Sequence, residues 1–348
     1  MNSDLTFSDH QAPFIVAELS GNHGGSLQKA LELVDAAKIS GAHAIKLQTY
    51  KPETITVDSK DDRFLIKEGL WKGKYLHDLY DQAMTPWEWH IEIARKAKEN
   101  ELVCFSSPFD ETAVDFLEQE ISPPLYKIAS FELNHFPLLK KVATLQKTVL
   151  ASTGVSNEEE ILKAIKTLSD NGCPEIILLH CVSNYPAKSE DFNLSLIPWM
   201  QKTFNCKVGL SDHSPGHLIP VLATALGARV IEKHLTLDRS QSSIDGDFSL
   251  LPEEFKVMSQ SVLEAYKSMG GHHSESKKIK ERFKNSSFKR SILVCKKIQS
   301  GDLLSKENIR IARPGHGMCP SKWTDVLGKK AKRNLEIGDP LVLRDLEI

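Results

Sequence analysis

The sequence lacks any long uncharged apolar run, and its N-terminus has none of the basic and apolar regions of a signal peptide. A helix that spans a bilayer needs about 20 consecutive apolar residues, so no membrane span is predicted, and a cytoplasmic protein is expected. An excess of one charge is also missing, since the formal net charge is -2 at pH 7. A surface for nucleic acid or for an anionic membrane is therefore not predicted.

Cysteine is scarce and scattered. The six cysteines form no Cys-x-x-Cys pair and lie mostly in or beside apolar runs, which is typical of reduced, buried thiols and not of a disulfide framework. The remaining composition, with 41% hydrophobic and 26% charged residues over 348 positions, is that of an ordinary globular protein. This length has room for a (β/α) barrel of about 250 residues and a small second module.

Apolar runs of strand length alternate with amphipathic helical segments through the first two-thirds of the chain. Eight runs are predicted as strands, over residues 14–19, 44–49, 102–107, 126–130, 148–153, 175–181, 207–213 and 229–234. After the first strand, Ser26 is predicted to cap a helix that Gly41 ends. This alternation indicates parallel strands joined by crossover helices, and eight repeats favour a closed (β/α)8 TIM barrel, an α/β fold, over an open sheet.

The segment 51–89 interrupts the alternation. It is polar, yet it is rich in aromatic side chains, among them Trp71, Tyr75, Tyr80, Trp87 and Trp89. A long segment of this kind is too polar for a core and too aromatic for disorder. It is predicted to form a lid over the mouth of the barrel.

A shift in composition ends the barrel. Residues 272–286 are polar and densely charged, which predicts a linker or a solvated helix. Short apolar runs broken by Gly, Pro and Asp follow, over 291–295, 301–304, 309–315 and 338–343, and they predict a module of short β-strands. We expect a barrel over 1–271, a linker over 272–286 and a β-rich module over 287–348, which is too small to bury much apolar surface without docking.

The carboxyl ends of the strands carry the chemistry in a (β/α) barrel. The predicted strand ends supply ionisable, amide and hydroxyl side chains: Glu18, Lys46, Gln48, Ser106, Ser107, Lys127, Ser130, Ser152, Thr153, His180, Tyr185, Ser211, Asp212, His213, Glu232 and His234. His213 and His234 end neighbouring predicted strands, so their imidazoles could share a metal ion, and ordinary hydrogen-bonded packing is the alternative.

Lys46 and Lys127 make the other side of the predicted pocket cationic. With the hydroxyls of Ser130 and Ser152 beside them, they favour a phosphorylated, acidic small molecule near a metal-activated carbonyl. Each lysine alone could instead be a structural partner of a site carboxylate. The sequence leaves that alternative open.

Eight motifs follow the strand ends in order: IVAELSGNH (15–23), KLQ (46–48), SSPFD (106–110), YKIAS (126–130), STG (152–154), HCVSNYP (180–186), GLSDH (209–213) and EKH (232–234). Together they resemble the sialic acid synthase family, which condenses phosphoenolpyruvate with an acylated amino sugar to give a nine-carbon 2-keto acid. The last module, with ARPG (312–315), resembles the antifreeze-like (SAF) domain of these synthases. Segments GLWKGKYL (69–76) and TPWEWH (85–90) resemble the pseudaminic acid synthase branch.

The resemblance implies roles for the matching residues. His213 and His234 would hold a divalent ion, with Mn²⁺ expected and Mg²⁺ or Co²⁺ as alternatives. Glu18, Glu232, Lys46 and Lys127 would be catalytic, and the two lysines would also bind phosphoenolpyruvate. The other substrate-binding residues would be Gln48, Ser107, Ser130, Ser152, Ser183, Tyr185, Ser211, Asp245 and Arg313.

Two departures from the family pattern bear on these roles. Ser183 stands where family members often have asparagine, and Asn184 follows it. The segment 245–247 offers two aspartates for the sugar, and its spacing from His234 favours Asp245 over Asp247.

The resemblance also implies a domain-swapped homodimer, in which Arg313 reaches the neighbouring barrel and contacts the sugar. A solvent-facing arginine beside a Pro-Gly turn is the alternative. The expected reaction gives pseudaminic acid and phosphate from a 2,4-diacetamido-2,4,6-trideoxy-hexose. Alternatives are an N-acetylneuraminate or legionaminate synthase, and a metal-dependent sugar-phosphate aldolase; an ice-binding role is disfavoured by the lysines of the last module.

Overall fold

The structure, a computed structural model, describes residue 7 and residues 11–239, 244–271 and 287–347. The chain divides into two compact units, Met1–His272 and His273–Ile348. The linker predicted over 272–286 lies outside the described residues. None of the helices in the described ranges combines the length and apolar character that crossing a bilayer requires.

Eight parallel strands form the sheet of the first unit, which confirms the predicted (β/α)8 TIM barrel. They are β1 Phe14–Glu18, β2 Ala44–Thr49, β3 Val103–Pro108, β4 Leu125–Ile128, β5 Thr148–Ser152, β6 Ile176–Cys181, β7 Lys207–Asp212 and β8 Val230–His234. Their order in the sheet is 3-2-1-8-7-6-5-4, and β3 lies beside β4, so the barrel is nearly closed. The bounds differ from the predicted ones by at most two residues.

Helices connect the strands. They are α1 Leu27–Ile39, α2 Pro52–Ile55, α3 Leu76–Ala83, α4 Trp89–Glu99, α5 Glu111–Glu120, α6 Phe136–Ala143, α7 Glu158–Asp170, α8 Leu196–Phe204, α9 Leu218–Ala225 and α10 Pro252–Ser268. Helix α1 begins and ends as predicted: the Ser26 hydroxyl accepts a hydrogen bond from the Lys29 amide, and Gly41 has φ +88°. Trp89 begins α4 and packs on the core, so the predicted lid ends before it.

The two-residue period of the strands sorts apolar and polar side chains within the barrel. Inward positions near the amino ends form an apolar layer: Val16, Ala44, Phe105, Leu125, Leu150, Ile177, Leu179 and Val230. The next inward positions toward the carboxyl ends are polar: Glu18, Lys46, Lys127, Ser152 and Glu232. A closed apolar floor thus lies beneath a buried polar site.

The second unit contains less regular strand than the sequence predicts. Strand β9 (Ser291–Val294) pairs antiparallel with β10 (Ile309–Ala312), and one helical turn, α11, covers Trp323–Val326. The predicted strands over 301–304 and 338–343 were wrong, because these segments make only isolated bridges at Leu303 and Pro340. Gly301 in the first segment, and Gly338 and Pro340 in the second, keep these segments from forming longer β-ladders. Buried aliphatic side chains form the core of this unit: Ile292, Val294, Ile298, Leu304, Ile309, Val326, Leu335, Leu341 and Leu346.

All six cysteines are free thiols, as expected. Their predicted burial is confirmed for Cys173 and Cys181 and is wrong for Cys319, which is exposed. The other three are half-buried. An apolar neighbourhood in sequence does not bury a side chain that lies at the surface, as Cys319 does just before the 3₁₀ helix Pro320–Lys322.

Candidate active site

Two lysines and two glutamates form a buried network above the apolar floor of the barrel. Lys46 on β2 makes an ion pair with Glu18 on β1, and its Nζ lies 3.4 Å from Glu232 Oε1 on β8. Lys127 on β4 donates to the same Glu232 oxygen at 2.7 Å. Each of the four is at most 4% exposed. Both lysines therefore have carboxylate partners, the alternative that the sequence left open, while they also line the predicted anion site.

The two glutamates have differently shifted pKa values. Burial raises the pKa of Glu232, but Lys127 and Lys46 lower it by more, to about 2. For Glu18, burial outweighs the attraction of Lys46 and raises the pKa above its usual range. The lysines thus favour the ionised form of Glu232, and Glu18 is the carboxyl better able to exchange a proton.

Two of the predicted serines join this network directly. Ser107 on β3 accepts a hydrogen bond from Lys46 Nζ at 3.3 Å. Ser211 on β7 donates to Glu232 Oε1 at 3.0 Å. Side chains from β1, β2, β3, β4, β7 and β8 are thereby tied into one polar cluster.

A second group of predicted residues lies at the ends of β4, β5 and β6. The Gly154 amide donates to Ser130 Oγ at 3.2 Å, and a Cβ at Gly154 would lie only 2.4 Å from Ser183 Oγ. Ser152 Oγ is buried and has no hydrogen-bond partner among the described residues. Hydroxyls with spare donors next to lysines suit the oxygens of a phosphate or carboxylate.

The predicted metal ligands lie together on the other side of the site. The His213 and His234 rings are 5.4 Å apart between centroids. His213 Nδ1 donates to the Val182 carbonyl at 3.0 Å, which fixes the ring and directs Nε2 away from that carbonyl. His234 Nδ1 is buried, has no hydrogen-bond partner in the described ranges, and lies 3.7 Å from Asp245 Oδ2. Burial holds the pKa of His234 well below its usual range, so its neutral imidazole fits a divalent transition metal.

Another possible metal cluster occurs among the described residues. Asp58, His77 and Asp78 have ligand atoms within 4.8 Å of one another. Both aspartates are exposed, and Lys60 Nζ donates to Asp78 at 2.5 Å and lies 3.9 Å from Asp58. The lysine offsets part of the negative charge of this exposed cluster and occupies Asp78, so we favour the buried histidine pair.

Two of the residues predicted to position the sugar, Gln48 and Asp245, are linked to Glu18 by hydrogen bonds. Gln48 Nε2 donates to Glu18 Oε1 at 3.2 Å and to Ser20 Oγ at 3.1 Å. Ser20 Oγ donates in turn to Asp245 Oδ2. Asp245 is buried, whereas Asp247 is exposed, so the structure brings Asp245 into the cluster, as the spacing favoured. Ser20 was not predicted as a site residue. It joins Gln48 to Asp245, because its left-handed backbone (φ +43°) turns its hydroxyl toward both side chains.

Aromatic rings close one side of the site. Tyr185 lies 4.6 Å from the His213 ring and 5.2 Å from Phe248, measured between ring centroids. Trp71 of the predicted lid lies 5.3 Å from Tyr185, and its Nε1 donates to the Ile244 carbonyl at 3.3 Å. The lid segment thus reaches the strand ends, as predicted.

Glu132 is a second site residue that the sequence reading missed. Its Oε2 is buried and has no hydrogen-bond partner within the described ranges. Burial raises its pKa to about 7, although Lys127 and Lys46 act against the shift. Glu132 lies two residues past the predicted strand 126–130, in a 3₁₀ turn over Ser130–Glu132. An acidic residue just beyond a strand end was the available signal.

Three predicted strand-end residues point away from the site, which corrects their assignment. Each lies at an outward position and has an ordinary partner there: His180 donates to the Phe192 carbonyl, Ser106 bonds to Thr49, and Asp212 pairs with Lys233. The strand period explains this, because adjacent residues face opposite sides of a sheet.

Arg313 lies in the second unit, directly after β10. Its side chain is exposed. The turn that carries it is fixed by two hydrogen bonds, from Ser291 Oγ to the Pro314 carbonyl at 2.7 Å and from the Gly315 amide to the Ser287 carbonyl at 2.9 Å. The arginine is therefore presented to solvent on an anchored turn.

Known proteins resemble both units. A model of the NeuB family matches residues 33–274, and a model of the SAF domain matches residues 289–347. The pseudaminic acid synthase of Campylobacter jejuni is 43% identical over 342 residues, 98% of this chain and of the relative. That of Helicobacter pylori is 41% identical, covering 97% of this chain and 98% of the relative. The crystal structure of N-acetylneuraminic acid (sialic acid) synthetase from Leptospira borgpetersenii in complex with citrate has a TM-score of 0.69 and 31% identity, covering 80% of this chain and 93% of that one.

Proposed function

This chain belongs to the NeuB family, and we propose that it is a pseudaminic acid synthase. It would condense phosphoenolpyruvate with a 2,4-diacetamido-2,4,6-trideoxy-hexose to give pseudaminic acid and phosphate. One observation carries the proposal: the buried Lys46, Lys127, Glu18 and Glu232 network lies in the same barrel mouth as the His213 and His234 pair. Full-length similarity to two pseudaminic acid synthases supports the choice of sugar.

Phosphoenolpyruvate would bind on the cationic side of the site. Lys46 and Lys127 offer ammonium groups, and Ser152 Oγ is a buried donor whose partner would be a substrate oxygen. Glu232 keeps both ammonium groups oriented toward the site. The same lysines stabilise phosphate as it leaves, so they serve both binding and rate.

The amino sugar would bind on the opposite side, where Gln48, Tyr185 and Asp245 would orient it. A divalent ion held by His213 and His234 would supply Lewis acidity toward the sugar carbonyl. The aromatic wall and the lid tryptophan Trp71 would exclude water from that carbonyl.

Glu18 is suited to the proton transfer. Bond formation between C3 of phosphoenolpyruvate and the aldehyde carbon leaves positive charge at C2, and water adds there before phosphate departs. A carboxylate beside C2 stabilises that charge and accepts a proton from the water. The raised pKa of Glu18 makes it the better base, whereas Glu232, with a pKa of about 2, stays ionised.

The reaction is tested by following inorganic phosphate. Phosphate should appear only when phosphoenolpyruvate and the amino sugar are both present, and a sugar-phosphate aldolase would not meet that requirement. Offering the diacetamido-trideoxy-hexose, the N-acyl amino sugar that legionaminate synthases use and N-acetylmannosamine side by side tests the sugar. Preference for either of the last two would replace our proposal with a legionaminate or neuraminate synthase.

The assembly is also part of the proposal. We infer a catalytic barrel over 1–271, a linker over 272–286 and an SAF module over 287–348, in a cytoplasmic, domain-swapped homodimer. Arg313 supports this because it is exposed on an anchored turn. Its planar fork of donors suits the acyl and hydroxyl oxygens of a sugar held in a neighbouring barrel.

A further inference from the structure

A fully buried ion pair lies directly behind the two site histidines. Asp212 Oδ2 and Lys233 Nζ are 2.6 Å apart, and both side chains are 0% exposed. Asp212 precedes His213, and Lys233 precedes His234. The two are also register partners in the last pair of the β7–β8 ladder. The ion pair therefore joins the two strands at the point where each delivers a histidine.

Lys233 also holds the chain beyond His213. Its Nζ donates to the Ser214 carbonyl, and Asp212 Oδ1 accepts from the Ser214 amide at 2.8 Å. Residues on both sides of His213 are thus tied to one ammonium group on β8.

The histidines differ in how their rings are held. His213 is fixed from the β6 side, because its Nδ1 donates to the Val182 carbonyl and its own carbonyl accepts from the Ala187 amide at 3.0 Å. His234 Nδ1 has no such hydrogen bond to the described residues. The separation of the rings, 5.4 Å between centroids, then depends on how firmly the ends of β7 and β8 are aligned.

We propose that Asp212 and Lys233 are positioning residues, whose ion pair sets the spacing of His213 and His234 at which a divalent ion is held. This inference rests on the metal site of the proposed function. Neither residue touches substrate, since both face the outside of the barrel. A fully desolvated pair has strong directional preference, so it can fix the alignment of two strand ends more sharply than apolar packing would.

The test separates positioning from stability. Replacing a whole buried ion pair by apolar residues is often neutral for stability, so Asp212→Leu combined with Lys233→Met should fold. Titrating Mn²⁺ and following the free-ion signal by electron paramagnetic resonance should show binding weakened about 10- to 100-fold, as for other residues that orient metal ligands. The matched control is Lys207→Met, which removes a lysine ion pair with Glu175 at the other end of β7 and should bind Mn²⁺ like the parent.

The outcomes are distinct. A folded double variant that binds Mn²⁺ as tightly as the parent overturns the inference, even if Lys233→Met alone fails to fold. If the parent itself binds no Mn²⁺, the proposed metal site fails instead. Crystal structures of the metal-free parent and double variant then decide the positioning claim: a changed separation of the histidine rings supports it, and an unchanged separation overturns it.

Discussion

Glu18 and Glu232 share the ammonium group of Lys46, yet their pKa values are shifted in opposite directions. Burial acts on both carboxyls, but Glu232 contacts Lys127 and Ser211 as well as Lys46, whereas Glu18 contacts one lysine and is repelled by Glu232. The surroundings of Glu232 stabilise its carboxylate anion, whereas those of Glu18 favour the protonated carboxyl. Two similar side chains on adjacent strands thereby become suited to different tasks.

Replacement of Glu18 by Gln should abolish most of the activity and preserve the fold. The amide keeps the shape and can still accept from Gln48, but it cannot take a proton, so kcat should fall by about 10²- to 10⁴-fold. The rise of parent activity with pH, where Glu18 loses its proton, should disappear in the variant. Retention of a tenth or more of parent kcat would rule out Glu18 as the base.

Lys127→Met should weaken the use of phosphoenolpyruvate. Loss of the ammonium group removes a contact to the substrate anion and leaves Glu232 with Lys46 alone, so kcat/KM for phosphoenolpyruvate should fall at least tenfold. Lys147→Met is the control, because it breaks a less buried lysine–glutamate ion pair, with Glu118, away from the site. If Lys127→Met lowers the melting temperature and leaves the kinetics unchanged, the lysine is structural only.

Glu132→Gln should change how stability depends on pH. Burial raises the folded-state pKa to about 7 from 4.5, so the folded protein binds more protons than the unfolded chain between these values. Parent stability is therefore lost as pH rises through that window, by about 3 kcal/mol in total from this group. Melting curves should show the Gln variant matching the parent near pH 4 and exceeding it at pH 8. The exposed Glu120→Gln control should follow the parent, and identical pH dependence of all three would contradict the prediction.

Removal of metal should stop turnover, and Mn²⁺ should restore it. Only two histidines are expected to bind the ion, so the site should be open and the ion exchangeable by EDTA. His213→Ala and His234→Ala should each lower Mn²⁺ affinity by an order of magnitude or more. His77→Ala tests the surface cluster and should leave affinity unchanged; the reverse pattern would move the metal site to Asp58, His77 and Asp78.

Arg313→Ala and His213→Ala should each be nearly inactive as homodimers, while their hybrids regain activity. In a hybrid, the intact barrel of the arginine variant would receive Arg313 from the partner whose metal site is broken. At most one barrel of each hybrid is complete, so about half of parent activity per hybrid dimer is the expected ceiling. Hybrids that dimerise but remain inactive would show that the arginine acts within its own chain or has no role in catalysis.

The barrel was predictable because its signals are local. Eight apolar runs of strand length, and caps such as Ser26, indicate element type directly. The short runs after residue 286 were less informative. Whether the segment 301–304 forms a strand depends on a partner distant in sequence, and Leu303 finds only one, Lys330.

The side chains that stand at the strand ends follow from the residue pattern alone, and with them the acids, lysines, hydroxyls and imidazoles available to the site. Their partners depend on how the folded barrel brings the strands together. It paired Lys127 with Glu232, turned His180 and Asp212 outward, and brought Glu132 and Ser20 into the cluster. The reason is physical: barrel closure brings together strands far apart in the chain, and burial then shifts each pKa according to the charges that closure places beside it.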